Sequence, residues 1–82
     1  MNLPRDLGGI ELSKLLRRYG YEVSRQTGSH LRLVSRLRGT EHHVTIPAHD
    51  CLKVGTLAAI LTEVSAYLEI PRADLDRELF GS

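Results

Sequence analysis

The side chains of this 82-residue chain that are best suited to catalysis lie around a histidine that follows a glycine turn. His30 comes directly after Gly28 and Ser29. Glycine lets the backbone turn sharply, so a histidine just after it is held by a strand and yet open to solvent. An imidazole titrates near pH ~6.5 and can transfer protons at neutral pH. The alternative is a surface histidine without a role, and the residues alone do not decide between the two.

The other histidines and the cysteine form no recognisable catalytic or metal-binding motif. His42 and His43 are adjacent on a predicted strand, so their side chains point to opposite faces and cannot easily share a metal ion. His49 follows Pro47 in a loop, where it is either a second proton-transfer group or a residue that orders the loop. A single cysteine, Cys51, excludes an intramolecular disulfide and a multi-thiolate site. We therefore expect neither a metal ion nor another cofactor.

A second candidate site lies at the start of a predicted helix, in the segment from Lys53 to Thr56. Backbone N–H groups are unpaired at a helix N-terminus and the helix dipole is positive there. With Lys53 beside them, these groups could bind a phosphate. An ordinary helix start with Thr56 as the N-cap is the alternative. The segment lacks the spaced glycines of a P-loop, so nucleotide hydrolysis is not expected.

Charge is unevenly distributed along the chain, although the formal net charge is only +1. Residues 14–39 carry seven basic side chains and one acidic one, so their net charge is +6. Residues 60–82 carry two basic and five acidic side chains, so their net charge is −3. The basic segment either contacts nucleic-acid phosphates or is a solvated face whose arginines protect strand edges. Aromatic residues make up only 5% of the chain, which leaves few side chains for base stacking.

The hydrophobic pattern predicts the elements that position these residues. Leucines and a tyrosine at helical spacing predict a first helix over about residues 12–19, which Gly20 ends. Alternating apolar residues then predict three antiparallel strands, at about residues 21–26, 29–36 and 41–46. Thr27-Gly28 is the predicted tight turn between the first two strands. Leu31 and Leu33 point into the core, so His30 and Arg32 are expected to point out.

The second half of the chain is predicted to be helical. A second helix starts near Gly55-Thr56, and two leucines four residues apart indicate a short third helix near residues 72–80. The leucine faces of the first two helices both need an apolar surface to cover. We therefore predict an α+β fold in which the helices lie on one face of a three-stranded antiparallel sheet. The length predicts one domain over residues 1–82.

Nothing in the sequence suggests a membrane or an exported protein. The longest unbroken apolar run, residues 57–61, is far shorter than the about 20 residues that span a bilayer. Residues 1–5 form no apolar signal region. We expect a soluble, cytoplasmic protein that does not contact the membrane.

Three ordered segments together are similar to a known family. Arg25–His30 is close to an Arg-Gln-x-Gly-Ser-His stretch, Ile46–His49 to a strand end followed by Pro-x-His, and Lys53–Leu61 to a Lys-x-Gly-Thr-Leu-x-x-Ile-Leu helix start. The chain thus resembles the HicA family, the toxin half of HicA–HicB toxin–antitoxin pairs, over about residues 3–80. Two departures are Thr27, where many relatives carry a basic residue, and Leu33, which replaces a frequent aromatic residue.

The resemblance implies a fold like that of double-stranded-RNA-binding domains, with the order α-β-β-β-α. It also implies an endoribonuclease that cleaves mRNA (an mRNA interferase) and a HicB-like antitoxin that covers the active surface. The active histidine of the Gly-Ser-His motif is His30 in this chain, supported by Gly28 and Ser29. His49 is a candidate for a second proton-transfer group. The candidates for RNA and phosphate binding are Arg25, Arg32, Lys53 and Thr56. The corresponding mechanism is acid–base catalysis without a metal ion.

Two other classes of function remain open. A non-catalytic double-stranded-RNA-binding module would use the same fold and basic face and would bind duplex RNA without cutting it. Against that class, the lysine cluster usual at the start of its second helix is reduced to Lys53. A protein-interaction domain would depend on an apolar patch that the sequence does not locate.

Overall fold

Apolar side chains at helical and strand spacing produce the order helix, three strands and two helices. The computed structural model describes residues 3–81, so the ends of the predicted 1–82 domain, residues 1, 2 and 82, lie outside the described residues. The helices are α1 (Gly9–Leu15), α2 (Val54–Leu68) and α3 (Arg72–Phe80), and the strands are β1 (Glu22–Thr27), β2 (His30–Ser35) and β3 (His42–Pro47). A 3-10 turn over Leu16–Tyr19 extends α1. Each strand lies within a residue of its predicted position.

The sheet is antiparallel with the order β1-β2-β3, and the helices cover one of its faces. Inward side chains of β2 and β3 pack against the leucine stripes of α1 and α2. The core residues at this contact are Leu12, Leu16, Leu31, Leu33, Val44, Ile46, Leu57 and Leu61, all 3% exposed or less. Burying one such side chain contributes about 1.5–3 kcal/mol. The predicted α+β fold, like that of a double-stranded-RNA-binding domain, is confirmed.

Helix α2 begins earlier than predicted. Its first residue is Val54 and its N-cap is Lys53, so the prediction of Thr56 as N-cap was wrong. The cause is tertiary: Leu52 is buried in the core, and the helical hydrogen bonds start immediately after it. The carbonyl of Lys53 accepts the first of them from the N–H of Leu57 at 2.9 Å. Thr56 is the third residue of the helix, which removes the capping role.

The turn between β1 and β2 lies one residue later than predicted. Thr27 pairs with His30, so the two turn residues are Gly28 and Ser29. Gly28 has a φ of 54°, in the left-handed region that residues with a Cβ rarely adopt. No atom lies within 4 Å of a Cβ built at Gly28, so the backbone angle alone requires glycine here.

The β2–β3 hairpin is fastened to α2 by an aromatic cluster. The hydroxyl of Tyr67 donates to the carbonyl of Thr40 at 2.5 Å and accepts from the N–H of Arg38 at 2.9 Å. His42 stacks on the Tyr67 ring with centroids 4.8 Å apart, and its Nδ1 is hydrogen-bonded to the Tyr21 hydroxyl at 2.6 Å. Burial of Tyr21, followed by the nearby Tyr67, raises the pKa of its phenol. His42 therefore stabilises the fold from the inner side of the sheet.

Within residues 3–81, no single helix is both long and apolar enough to cross a bilayer. Helices α2 and α3 meet that requirement only as a pair, and the chain bends by 111° between them.

Candidate active site

The structure places His30 at the first position of β2, with its side chain on the face of the sheet that the helices leave uncovered. Its neighbour Leu31 is 3% exposed and belongs to the core, whereas His30 and Arg32 are exposed. The predicted orientation is therefore confirmed. Because His30 follows a two-residue turn and pairs with Thr27 on one side and Pro47 on the other, its backbone is fixed from both strands.

A β-bulge in β1 brings a second arginine to this outer face. The register shifts between Val23, which pairs with Leu33, and Arg25, which pairs with Arg32. The intervening Ser24 is the extra residue of the bulge. Strict alternation predicts that Arg25 lies on the same face as Val23, and this was wrong. The bulge turns Arg25 to the outer face, directly opposite Arg32. Arg32 is the next residue after His30 along β2 whose side chain points outward, so Arg25 lies diagonally across from His30.

The loop that carries His49 lies at the same end of the sheet as the Gly28-Ser29 turn. Pro47 pairs with His30, and the N–H of Ala48 donates to the carbonyl of Ser29 at 2.6 Å. On its other side, the carbonyl of His49 accepts from the N–H of Gly9 at 3.0 Å. The backbone of this loop therefore joins the turn to the start of α1. The His49 side chain is exposed.

Gly9 packs against the end of β3, a close contact that the sequence pattern did not indicate. A Cβ built at this position would lie 1.9 Å from the carbonyl oxygen of Pro47 and 3.2 Å from the Cα of Ala48. Such an approach is possible only for glycine. The N-terminus of α1 thus packs directly on the strand end that pairs with His30. The available signal in the sequence was the pair Gly8-Gly9 before the first apolar stripe.

The start of α2 carries a further basic side chain, separate from those of residues 14–39. Lys53 is exposed at the N-cap, and Thr56 is partly buried in the first turn. An open cleft beside this turn is lined by Leu3, Arg5, Leu52, Lys53 and Val54. Arg5 is a further basic residue of this cleft, and it is not one of the phosphate-binding candidates that the sequence indicated.

Several arginines of the basic segment already have partners within the fold. Arg36 pairs with Glu41 at 2.7 Å and Arg38 with Glu69 at 2.5 Å, so both arginines have carboxylate partners. The hydrogen bond from Arg36, followed by that from His43, lowers the pKa of the Glu41 carboxyl. Arg18 donates to the backbone carbonyl of Glu78 at 2.7 Å. The segment's net charge of +6 therefore overstates what is free to bind an anion.

The remaining basic candidates are free of such partners. Between residues 3 and 81, the side chains of Arg25, Arg32 and Lys53 make no hydrogen bond or ion pair, although the backbone carbonyl of Arg32 accepts from the Ser24 hydroxyl at 3.2 Å. The same described range contains no group of three or more His, Cys, Asp or Glu side chains that could hold a metal ion. The candidate site thus consists of an exposed imidazole beside two guanidinium groups that have no carboxylate partner in the described residues.

Comparison with known proteins identifies one family. The family model described as the HicA toxin of bacterial toxin–antitoxin systems matches residues 9–65, which is more than half of the chain and includes the turn before His30. Neither the curated proteins nor the solved structures gave a match.

Proposed function

The chain belongs to the HicA family of toxins from bacterial toxin–antitoxin pairs, and from this premise we propose that it is an endoribonuclease that cleaves mRNA. Membership of the family implies a cognate antitoxin. The observation that carries the proposal is the placement of His30, which is exposed directly after a two-residue turn and neighbours Arg25 and Arg32 on the outer face of the sheet. Such an arrangement suits a proton transfer next to a phosphodiester.

RNA supplies its own nucleophile, the 2′-hydroxyl, so the protein needs only a few groups. In the proposed reaction a base removes the proton of the 2′-hydroxyl as its oxygen attacks phosphorus, and an acid protonates the departing 5′-oxygen. The products are a 2′,3′-cyclic phosphate and a free 5′-hydroxyl. His30 is the base or the acid, and such a group contributes roughly 10²–10⁴ in rate. His49, on the neighbouring loop, is the candidate for the second group.

The positive charges have a separate task in this mechanism. Negative charge builds up on the pentavalent phosphate, and cations that bind the RNA phosphates around it stabilise this charge. Arg25, Arg32 and Lys53 are proposed to bind the RNA phosphates, with Thr56 at the helix start beside Lys53. A HicB-like antitoxin that covered the outer face around His30 would exclude RNA from it. We place this activity in the cytoplasm, where mRNA is available.

The proposed chemistry is tested with the purified chain and a short RNA. Cleavage is expected to proceed at an unchanged rate in EDTA and to leave a 2′,3′-cyclic phosphate, because the proposed steps use no metal ion. An RNA with 2′-deoxyribose at the cleaved position is the control and should stay intact. Loss of cleavage in EDTA with recovery only on adding a divalent ion would contradict the mechanism. Binding of duplex RNA without any cleavage would favour the non-catalytic RNA-binding module.

Arg32→Ala is expected to weaken RNA binding by reducing the electrostatic contribution to the affinity, which depends on salt concentration. The affinity of a single strand falls with salt in proportion to the phosphate contacts. Losing one contact should reduce the slope of log K against log salt concentration by about 0.7. Fluorescence anisotropy with a 2′-O-methyl RNA, which lacks the nucleophile, measures this slope. Arg36→Ala is the matched control, because Arg36 is already paired with Glu41; an unchanged slope in Arg32→Ala would remove Arg32 from the site.

A further inference from the structure

We propose that Arg25 and Arg32 together bind the phosphodiester next to the one that is cleaved at His30, so that the substrate must contain at least two consecutive phosphodiesters. This inference rests on the proposed function and specifies how the same site holds RNA. It divides the outer face into two subsites, one for the reacting phosphate and one for its neighbour.

The register of the sheet separates the two subsites. Arg32 lies two residues along β2 from His30, and the partners of these residues in β1 are Arg25 and Thr27. Two residues of strand correspond to about 7 Å. Side chains of a strand stand roughly perpendicular to the sheet, so this separation is kept above the surface. An RNA strand can match it between successive phosphates.

The pairing of Arg25 with Arg32 indicates an anion site. Like charges directly opposite each other on neighbouring strands destabilise a sheet. Arg36 and Arg38, in contrast, lie beyond the end of β2, and each has a carboxylate partner. Arg25 and Arg32 face one another with no ion pair in residues 3–81, and only the bulge at Ser24 brings them together. A phosphate between them would relieve the repulsion and accept hydrogen bonds from both guanidinium groups.

The position opposite His30 explains why the pair serves a neighbouring phosphate. Thr27, not an arginine, is the β1 residue at the level of His30. On the other side of His30, the Gly28-Ser29 turn precedes the first residue of β2, so the strand has no further outward-facing side chain there. Arg25 and Arg32, two residues farther along the strands, therefore lie to one side of the reacting phosphate and bind the adjoining linkage.

The test removes one charge at a time from the RNA. Each oligonucleotide has a single ribonucleotide in a 2′-O-methyl background, so that one linkage can be cleaved, and a neutral methylphosphonate replaces one other linkage. For the wild-type chain, neutralising one of the two linkages next to the cleaved one is expected to lower kcat/KM by about 10- to 100-fold, as for a charge-assisted hydrogen bond. Neutralising linkages farther away should have a much smaller effect.

The same series with Arg25→Ala/Arg32→Ala completes a double-mutant cycle. In this variant the adjacent methylphosphonate is expected to lower kcat/KM by less than about a further twofold, because the arginines that would bind the charge of that linkage are gone. Arg36→Ala is the control and should show the full loss. Circular dichroism should show that all variants are folded, since removing the opposed charges relieves repulsion.

The outcomes separate the two proposals. If the adjacent methylphosphonate lowers kcat/KM by the same factor in the wild type and in Arg25→Ala/Arg32→Ala, the inference is overturned and the proposed function stands. An equal loss of kcat/KM for a methylphosphonate at every position would likewise overturn the inference and leave the proposed function standing. If the wild-type chain cleaves none of the RNAs, the proposed function fails, and the assignment of a neighbouring subsite fails with it.

Discussion

Replacing His30 with alanine is expected to abolish RNA cleavage and growth arrest while leaving the fold intact. His30 is exposed and its backbone is fixed by Thr27 and Pro47, so the substitution removes an imidazole without opening a cavity. A surface substitution of this kind usually changes stability by less than about 0.5 kcal/mol. A proton-transfer group, in contrast, accounts for roughly 10²–10⁴ in rate. The variant should therefore keep the melting temperature and the RNA affinity and lose activity.

The measurement combines induced expression with a cleavage assay of the purified proteins. Wild-type chain should stop growth and degrade mRNA, and His30→Ala should do neither. His43→Ala is the matched control: His43 also lies on the outer face, but it pairs with Val34 at the other end of β2 and interacts with Glu41 at 3.2 Å. His43→Ala should remain toxic. Full cleavage by His30→Ala would rule out the assignment of His30.

Gly9→Ala is expected to lower the free energy of unfolding by about 3 kcal/mol, the upper end of the range for forcing extra atoms into a packed site. The added Cβ would lie 1.9 Å from the carbonyl oxygen of Pro47, so the backbone of α1 or β3 must move. At about 4–8 °C per kcal/mol for a domain of this size, the melting temperature should fall by more than about 10 °C. Activity should fall as well, because Pro47 pairs with His30.

Gly55→Ala is the matched control for this substitution. Gly55 also lies in the first turn of a helix, but no atom is within 4 Å of a Cβ built there. Alanine is favoured over glycine in a helix by about 0.5–1 kcal/mol, so this variant should melt a few degrees higher than the wild type. The two variants make the same chemical change, and thermal unfolding by circular dichroism should show opposite signs. A rise in the melting temperature of Gly9→Ala would contradict the close packing of α1 on β3.

The amino-acid sequence by itself determined the order of elements, the core face and the outward position of His30. These depend on local periodicity: Leu31 and Leu33 alternate with His30 and Arg32 on a strand, and the chain has one way to bury both leucines. The sequence also contained the Gly28-Ser29-His30 motif that the resemblance to HicA toxins rests on. The helix layer and the antiparallel sheet follow because apolar faces must be covered.

The tertiary structure alone decided which charges are free and where they meet. Local alternation places Arg25 on the inner side, and only the pairing of β1 with β2 shows the bulge that turns it outward. The ion pair of Arg38 with Glu69 and the contact of Gly9 with Pro47 join segments more than 30 residues apart, which no local pattern specifies. A period of two or 3.6 residues describes one element at a time, whereas bulges, ion pairs and close backbone approaches depend on how elements are paired. The candidate site around His30 is therefore visible in the sequence as a motif, but the fold determines which charges surround it.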